Sequence, residues 1–170
     1  MNKVAKFSKV SLDQFLKDCG KCFPTLTKEE ITKIYEGIKL PKRATIGSAG
    51  YDFYSPITFT LMPNETILIP TGIRVEIVPG WFLGLFPRSG LGFKYRLQLN
   101  NTVGIIDSDY YHAENEGHIM IKLTNDSNEN KTLGIIVGQG FSQGIFIPYG
   151  ITEDDETNTI RVGGFGSTTK

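Results

Sequence analysis

Thr66-Ile67-Leu68-Ile69-Pro70-Thr71-Gly72-Ile73-Arg74-Val75-Glu76-Ile77-Val78-Pro79-Gly80-Trp81-Phe82-Leu83-Gly84-Leu85-Phe86 contains three short apolar stretches, residues 66–70, 72–78 and 81–86, punctuated by Pro and Gly. Stretches of that length, rich in Ile, Val, Phe and Thr and bounded by turn residues, read as strands. The same texture returns at residues 119–124, 133–137 and 144–148. From Leu40 onward the chain therefore reads as all-β, a jelly roll or β-barrel. No internal repeat is evident.

The chain before Leu40 has a different period. In residues 11–18, Leu12, Phe15 and Leu16 fall on one face at the spacing of a short helix. Thr27-Lys28-Glu29-Glu30 has the form of a capping box, in which the Thr27 hydroxyl accepts from the backbone of Glu30 and Glu30 reaches back. Ile31, Ile34, Tyr35 and Ile38 then form a second stripe, closed by Gly37 and Pro41. Residues 1–39 thus read as a helical N-terminal extension and 40–160 as the β domain. Residues 161–170, with three glycines and little apolar surface, read as a mobile arm unless something orders them.

At 170 residues, one domain with a sizeable core is expected. The 18 basic and 18 acidic residues cancel, so no global field favours nucleic acid or a membrane surface, and a nucleotide would need a local site. There is no run of 18 apolar residues and no apolar signal core after Met1, so a cytoplasmic protein is the expectation. Cys19-Gly20-Lys21-Cys22 is a lone CxxC. A zinc site would need two more ligands, and the two histidines, His112 and His118, lie far along the chain. Two incidental thiols are the expected reading.

Five blocks carry chemistry. Pro87-Arg88-Ser89-Gly90 combines a planar donor fork suited to phosphate, a hydroxyl, and a glycine that lets a ligand approach the backbone. By itself it reads as a surface arginine beside a Ser-Gly turn. Asp107, in Gly104-Ile105-Ile106-Asp107-Ser108-Asp109-Tyr110, follows an apolar run. A positioned carboxylate can orient a water and take its proton, although one carboxylate after a strand is usually a turn residue. Gly163-Gly164-Phe165-Gly166-Ser167-Thr168 offers an anion-binding backbone, two hydroxyls and a ring for stacking on a base, or else a tail with a chance phenylalanine. The blocks Ala49-Gly50-Tyr51-Asp52 and Phe141-Ser142-Gln143 complete the set. Gly138-Gln139-Gly140 followed by Gly144 has one glycine misplaced for a dinucleotide fingerprint and no βαβ surroundings.

In order and spread, these five blocks resemble the five motifs of the trimeric dUTPases, over residues 40–168. The resemblance implies a jelly-roll-like homotrimer with shared active sites. It implies hydrolysis of dUTP to dUMP and pyrophosphate with Mg²⁺ bound to the triphosphate, limiting uracil in DNA and supplying dUMP for dTMP synthesis. On that resemblance Asp107 would activate the water that attacks the α-phosphate. Tyr110 would pack on the deoxyribose and exclude a 2′-hydroxyl, while Asn101, Gly104, Ile106 and Met120 would line the uracil pocket. Arg88, Ser89, Gly90 and Gln143 would hold phosphates, and Asp52 would sit near the water shell of the metal. Phe165 would stack on uracil, with Arg161, Gly166, Ser167 and Thr168 closing over the γ-phosphate.

Three departures stand out. Where the family usually has an acidic and a basic residue before the fourth motif, this chain has Gln139 and Gly140. Residues 111–116 lengthen a hairpin tip where the family often has one residue. Arg161 lies one position closer to Phe165 than is common. A dCTP deaminase shares the implied fold but lacks the Ile-Asp-Ser-Asp-Tyr block. A nucleotide-sensing binding module could use the extension or the lengthened tip.

Overall fold

The computed structural model describes residues 2–159 together with Arg161 and Gly163. It opens with a strand, β1 (Ala5–Lys9), followed by helices α1 (Leu12–Cys22) and α2 (Lys28–Gly37). Strands β2 (Lys42–Arg43), β3 (Tyr51–Tyr54), β4 (Phe59–Leu61), β5 (Thr66–Pro70), β6 (Ile73–Ile77) and β7 (Trp81–Pro87) follow. After a short helix α3 (Ser89–Tyr95) come β8 (Leu97–Leu99), β9 (Gly104–Ile106), a 3₁₀ turn (Ser108–His112), β10 (Met120–Asn125), β11 (Leu133–Ile135) and β12 (Gly140–Pro148).

The architecture is mostly β and jelly-roll-like. The largest sheet runs β2-β3-β12-β7-β9, and smaller ones pair β5-β10-β8, β11-β4 and β1-β6, each pairing antiparallel. Among the described residues the sheets stay separate, so the barrel form of the expectation is not realised. Closure requires an unbroken ladder, and here β2 has only two residues.

Alternation explains the strands. Ile73, Val75 and Ile77 are buried while Arg74 and Glu76 turn away, and Leu97 and Leu99 are buried around exposed Gln98. Phe53, Leu83, Leu85, Ile106 and Phe141 close the core beneath the five-stranded sheet. Strand β1 lies inside residues 1–39, the stretch read from sequence as purely helical. It pairs with β6 from Ala5–Ile77 to Lys9–Ile73, and Phe7 reaches the rings of Tyr51, Phe53 and Phe146 at 5.4–5.8 Å.

Both helices begin as their sequences dictate. The Ser11 hydroxyl accepts from Gln14 N–H at 3.1 Å, and at the capping box Thr27 Oγ1 accepts from Glu30 N–H while Glu30 Oε2 accepts from Thr27 N–H at 2.8 Å. Their apolar stripes face the β scaffold. Phe15 is fully buried, 5.7 Å from the Tyr35 ring and 6.0 Å from the His118 ring. Gly72, at φ +70°, leaves room for this contact, since a Cβ there would run into Ile38 and touch Phe15.

The packing of α1 is therefore part of the core. Phe15→Ala should cost about 3–5 kcal/mol, the range for deleting a buried aromatic ring. Denaturant unfolding would read this directly. A cost under about 1 kcal/mol would make the helices accessory to the fold.

Candidate active site

Two groups of candidate residues assemble, each on its own part of the scaffold. In the first, β12 lies between β3 and β7, with Gln143 opposite Asp52 on one side and Phe86 on the other. Strand β7 runs straight into Arg88, whose Nε stands 3.0 Å from Asp52 Oδ1 and whose Nη1 donates to the Gly140 carbonyl at 3.1 Å. Gln143 Nε2 donates to the Pro87 carbonyl at 3.0 Å. Gly50 gives Gln143 its room, since a Cβ there would come within 2.6 Å of the Gln143 Oε1. Asp52, Arg88 and Gln143 thus converge, with Ser89 and Gly90 exposed beside them at the start of α3.

The same geometry gives a reason for the departure at Gly140. A Cβ at that position would lie 2.8 Å from Arg88 Nη1. Glycine lets the guanidinium rest on the backbone, and Asp52 supplies its counter-charge.

The second group sits around β9. A cavity of about 430 Å³ is lined by Leu68, Leu85, Leu99, Asn101, Gly104 and Met120, among others. Three residues expected at the uracil pocket are in its wall. Ile106, the fourth, is 1% exposed with its side chain in the core, so only its backbone is available to a ligand. Asp107 follows β9 and begins the 3₁₀ turn, with its carbonyl accepting from Tyr110 N–H at 3.2 Å. The Asp107 carboxylate is about half exposed and takes a hydrogen bond of 2.7 Å from Arg161 Nη2. Arg161 Nε is an ion-pair neighbour of Asp109 at 2.9 Å without hydrogen-bond geometry, and the guanidinium lies 5.7 Å from the Tyr110 ring centre.

Burial pushes the Asp107 carboxyl above the usual aspartate range. The charge of Arg161 pulls it back, and Asp109 pushes it further up. Tyr110 is 3% exposed, and desolvation pushes its hydroxyl up to about 12. That hydroxyl donates to the His118 carbonyl at 2.8 Å and accepts from Asn115 Nδ2 at 2.7 Å.

Residues 111–116 are not a projecting tip. Arg74 Nη2 donates to the Tyr111 carbonyl at 2.6 Å with its guanidinium 3.7 Å from the Tyr111 ring centre, and Glu116 accepts from both the N–H and the hydroxyl of Ser11. Arg74, Asn115, Glu116, His118 and Asp18 were invisible as site neighbours in the sequence, because no motif spans them. Gly164, Phe165, Gly166, Ser167 and Thr168 lie outside the described residues.

The CxxC pair has the opposite of reactive chemistry. Burial pushes the Cys19 thiol up to about 11 and raises Cys22 as well, whereas a nucleophilic thiol needs a depressed value. Among the described residues, no group of three His, Cys, Asp or Glu is placed to hold a metal ion. Nor, among them, is any helix long and apolar enough to cross a membrane.

A mostly antiparallel, jelly-roll-like scaffold thus carries a half-exposed carboxylate, a small cavity and an Arg–Asp–Gln cluster. The dUTPase family model matches residues 36–169, and the chain belongs to the dUTPase family. It is 40% identical over 144 residues, 82% of its length, to the deoxyuridine 5'-triphosphate nucleotidohydrolase of Lactococcus lactis, covering 95% of that protein. It superposes on the crystal structure of dUTPase from Streptococcus mutans with a TM-score of 0.60 and 36% identity, over 69% of this chain and 91% of that one. A mutant dUTPase of phage phi11 of S. aureus, described with a structural Mg(II) ion, shares the fold at a TM-score of 0.63 and 20% identity, over 92% of this chain and 98% of that one.

Proposed function

We propose that this chain is a dUTP diphosphatase that releases dUMP and pyrophosphate. The observation that carries the reading is Asp107, a half-exposed carboxylate with a raised pKa at the end of β9, the strand whose first residue, Gly104, lines the cavity with Asn101 and Met120. Asp107 orients a water and takes its proton as the water oxygen bonds to the α-phosphorus. The bond from that phosphorus to the α,β-bridging oxygen breaks, and the electron pair leaves with pyrophosphate. Positioning and charge stabilisation carry such a transfer. The reaction limits uracil in DNA and supplies dUMP for dTMP synthesis.

Arg88, Ser89, Gly90 and Gln143 hold the phosphates. Asn101, Gly104, Met120 and the backbone of Ile106 take the uracil, and Tyr110, 3% exposed with the Arg161 guanidinium 5.7 Å from its ring, packs on the deoxyribose once that side chain has moved. From the arm, Phe165 stacks on the base while Arg161, Gly166, Ser167 and Thr168 close over the γ-phosphate. Arg161 is paired with Asp107, so its role at the γ-phosphate requires that pair to open. A site that hydrogen-bonds a base edge rejects a mismatched base strongly, because buried groups are left unpaired.

Asp52 is one carboxylate already shared with Arg88, which suits Mg²⁺ held mainly by the triphosphate and its own water shell. When bound, Mg²⁺ neutralises phosphate charge. A homotrimer with active sites shared between subunits is what membership of the dUTPase family supports. Exposed Ile136 and Val137 provide surface for such contacts. The free thiols Cys19 and Cys22 fit a reducing cytoplasm.

Pyrophosphate release from dUTP, set against the four dNTPs, tests the reading. Selective turnover of dUTP is expected, whereas ammonia released from dCTP would place the chain among deaminases.

The ion pair at Asp107 also sets a pH dependence. A base works only when ionised, so turnover grows as pH rises through its raised pKa. Arg161→Gln removes a cation that favours the ionised form, and the acid limb of kcat/KM should move to higher pH. A limb that stays in place or moves lower would contradict the pairing.

A further inference from the structure

Two features lie outside the five motifs, the helices before Leu40 and residues 111–116, and the structure joins them. Helix α1 grips the loop after the 3₁₀ turn at two points. At its N-terminus, Glu116 accepts from Ser11 N–H at 2.8 Å and from the Ser11 hydroxyl at 2.6 Å. One and a half to two turns further on, Asp18 Oδ2 lies 2.7 Å from His118 Nδ1 and also accepts from Gln14 Nε2 at 2.7 Å.

His118 is 0% exposed, and its Nε2 accepts from Gly72 N–H at 2.8 Å. That bond leaves Nδ1 as the protonated nitrogen, donating to Asp18. Both ring nitrogens are therefore committed, one to the β scaffold and one to α1. The His118 carbonyl accepts the Tyr110 hydroxyl, which Asn115 Nδ2 also donates to. Gly117 completes the turn at φ +68°, where a Cβ would lie 2.7 Å from the Tyr110 carbonyl oxygen. Through Tyr110 N–H the loop continues to the backbone of Asp107.

We propose that α1, through Asp18 and His118, positions Tyr110 and thereby sets discrimination against a 2′-hydroxyl. Asp18 and His118 are positioning residues, since neither lies in the cavity wall. The inference rests on the dUTP reading, in which Tyr110 meets the sugar. A held ring excludes the extra oxygen of a ribonucleotide, and a loosened one yields to it.

Asp18→Ala leaves the buried Nδ1–H of His118 without its acceptor, whereas Asp18→Asn keeps an acceptor oxygen there. The ratio of kcat/KM for dUTP to that for UTP should fall about tenfold or more in Asp18→Ala, equivalent to about 1.4 kcal/mol or more, and return in Asp18→Asn. Amide exchange across residues 110–117 should quicken in Asp18→Ala alone. Tyr35→Phe is the control for a purely structural role. It removes the 2.7 Å bond from the Tyr35 hydroxyl to the Val10 carbonyl without touching the loop, and it should leave the ratio unchanged.

An active wild type whose dUTP-to-UTP ratio is unmoved by Asp18→Ala would overturn the proposal alone. So would an equal fall in Tyr35→Phe. A wild type that releases no pyrophosphate from dUTP would overturn the functional reading and this inference with it.

Discussion

Asp107→Asn should lower dUTP turnover by about 10²–10⁴-fold, the loss expected when a positioned base is removed. The amide keeps the size of the side chain and an acceptor for Arg161, but it cannot take a proton. Because the carboxylate is half exposed, the substitution should change stability by no more than about 0.5 kcal/mol. Lost turnover is then not lost fold. Affinity for a non-hydrolysable dUTP analogue should be nearly unchanged, since the role lies in the transition state. Near-wild-type turnover would move the base elsewhere, with Asp109 the next to test because Arg161 also faces it.

Removing residues 161–170 should spare folding and nearly abolish turnover. The truncation deletes the Arg161 cation beside Asp107 and, with it, Phe165, Ser167 and Thr168. Stacking by Phe165 alone is worth about 1–3 kcal/mol by comparison with other base–aromatic contacts, so Phe165→Ala should weaken the site by about 5- to 150-fold. The truncated protein should unfold at the same denaturant concentration as the full chain, because the core lies before it. Full activity after truncation would remove the fifth motif from the site.

How far the sequence reached depended on whether the signal was local. The capping box at Thr27 and Glu30 and the stripes of α1 and α2 are set by residues three and four apart, and the helices form where that spacing places them. Strands β5, β6 and β7 were legible for the same reason. Helix α3 was hidden by Gly90 and Gly92, which weaken helical propensity, and it ends at Arg96 in the left-handed conformation. Strand β12 begins at Gly140, earlier than its apolar run suggests, with a bulge between Gly140 and Ser142. Strand β1 is short, and its evidence is its partner β6, far along the chain.

The candidate site divides along the same line. Asp52, Arg88 and Gln143 could be singled out from their motifs, yet their meeting depends on β12 lying between β3 and β7. The supports of Tyr110 could not be read at all. Ser11 and Glu116 are 105 residues apart, and Asp18 and His118 are 100 apart. Nothing in one sequence marks such pairs, because each residue is ordinary where it stands.

The most direct test of the central claim is hydrolysis of dUTP in ¹⁸O-labelled water, with the label located by mass spectrometry. Attack at the α-phosphorus by a water held on Asp107 predicts ¹⁸O in dUMP and none in pyrophosphate. Label in the pyrophosphate, or no cleavage of dUTP, would contradict the account.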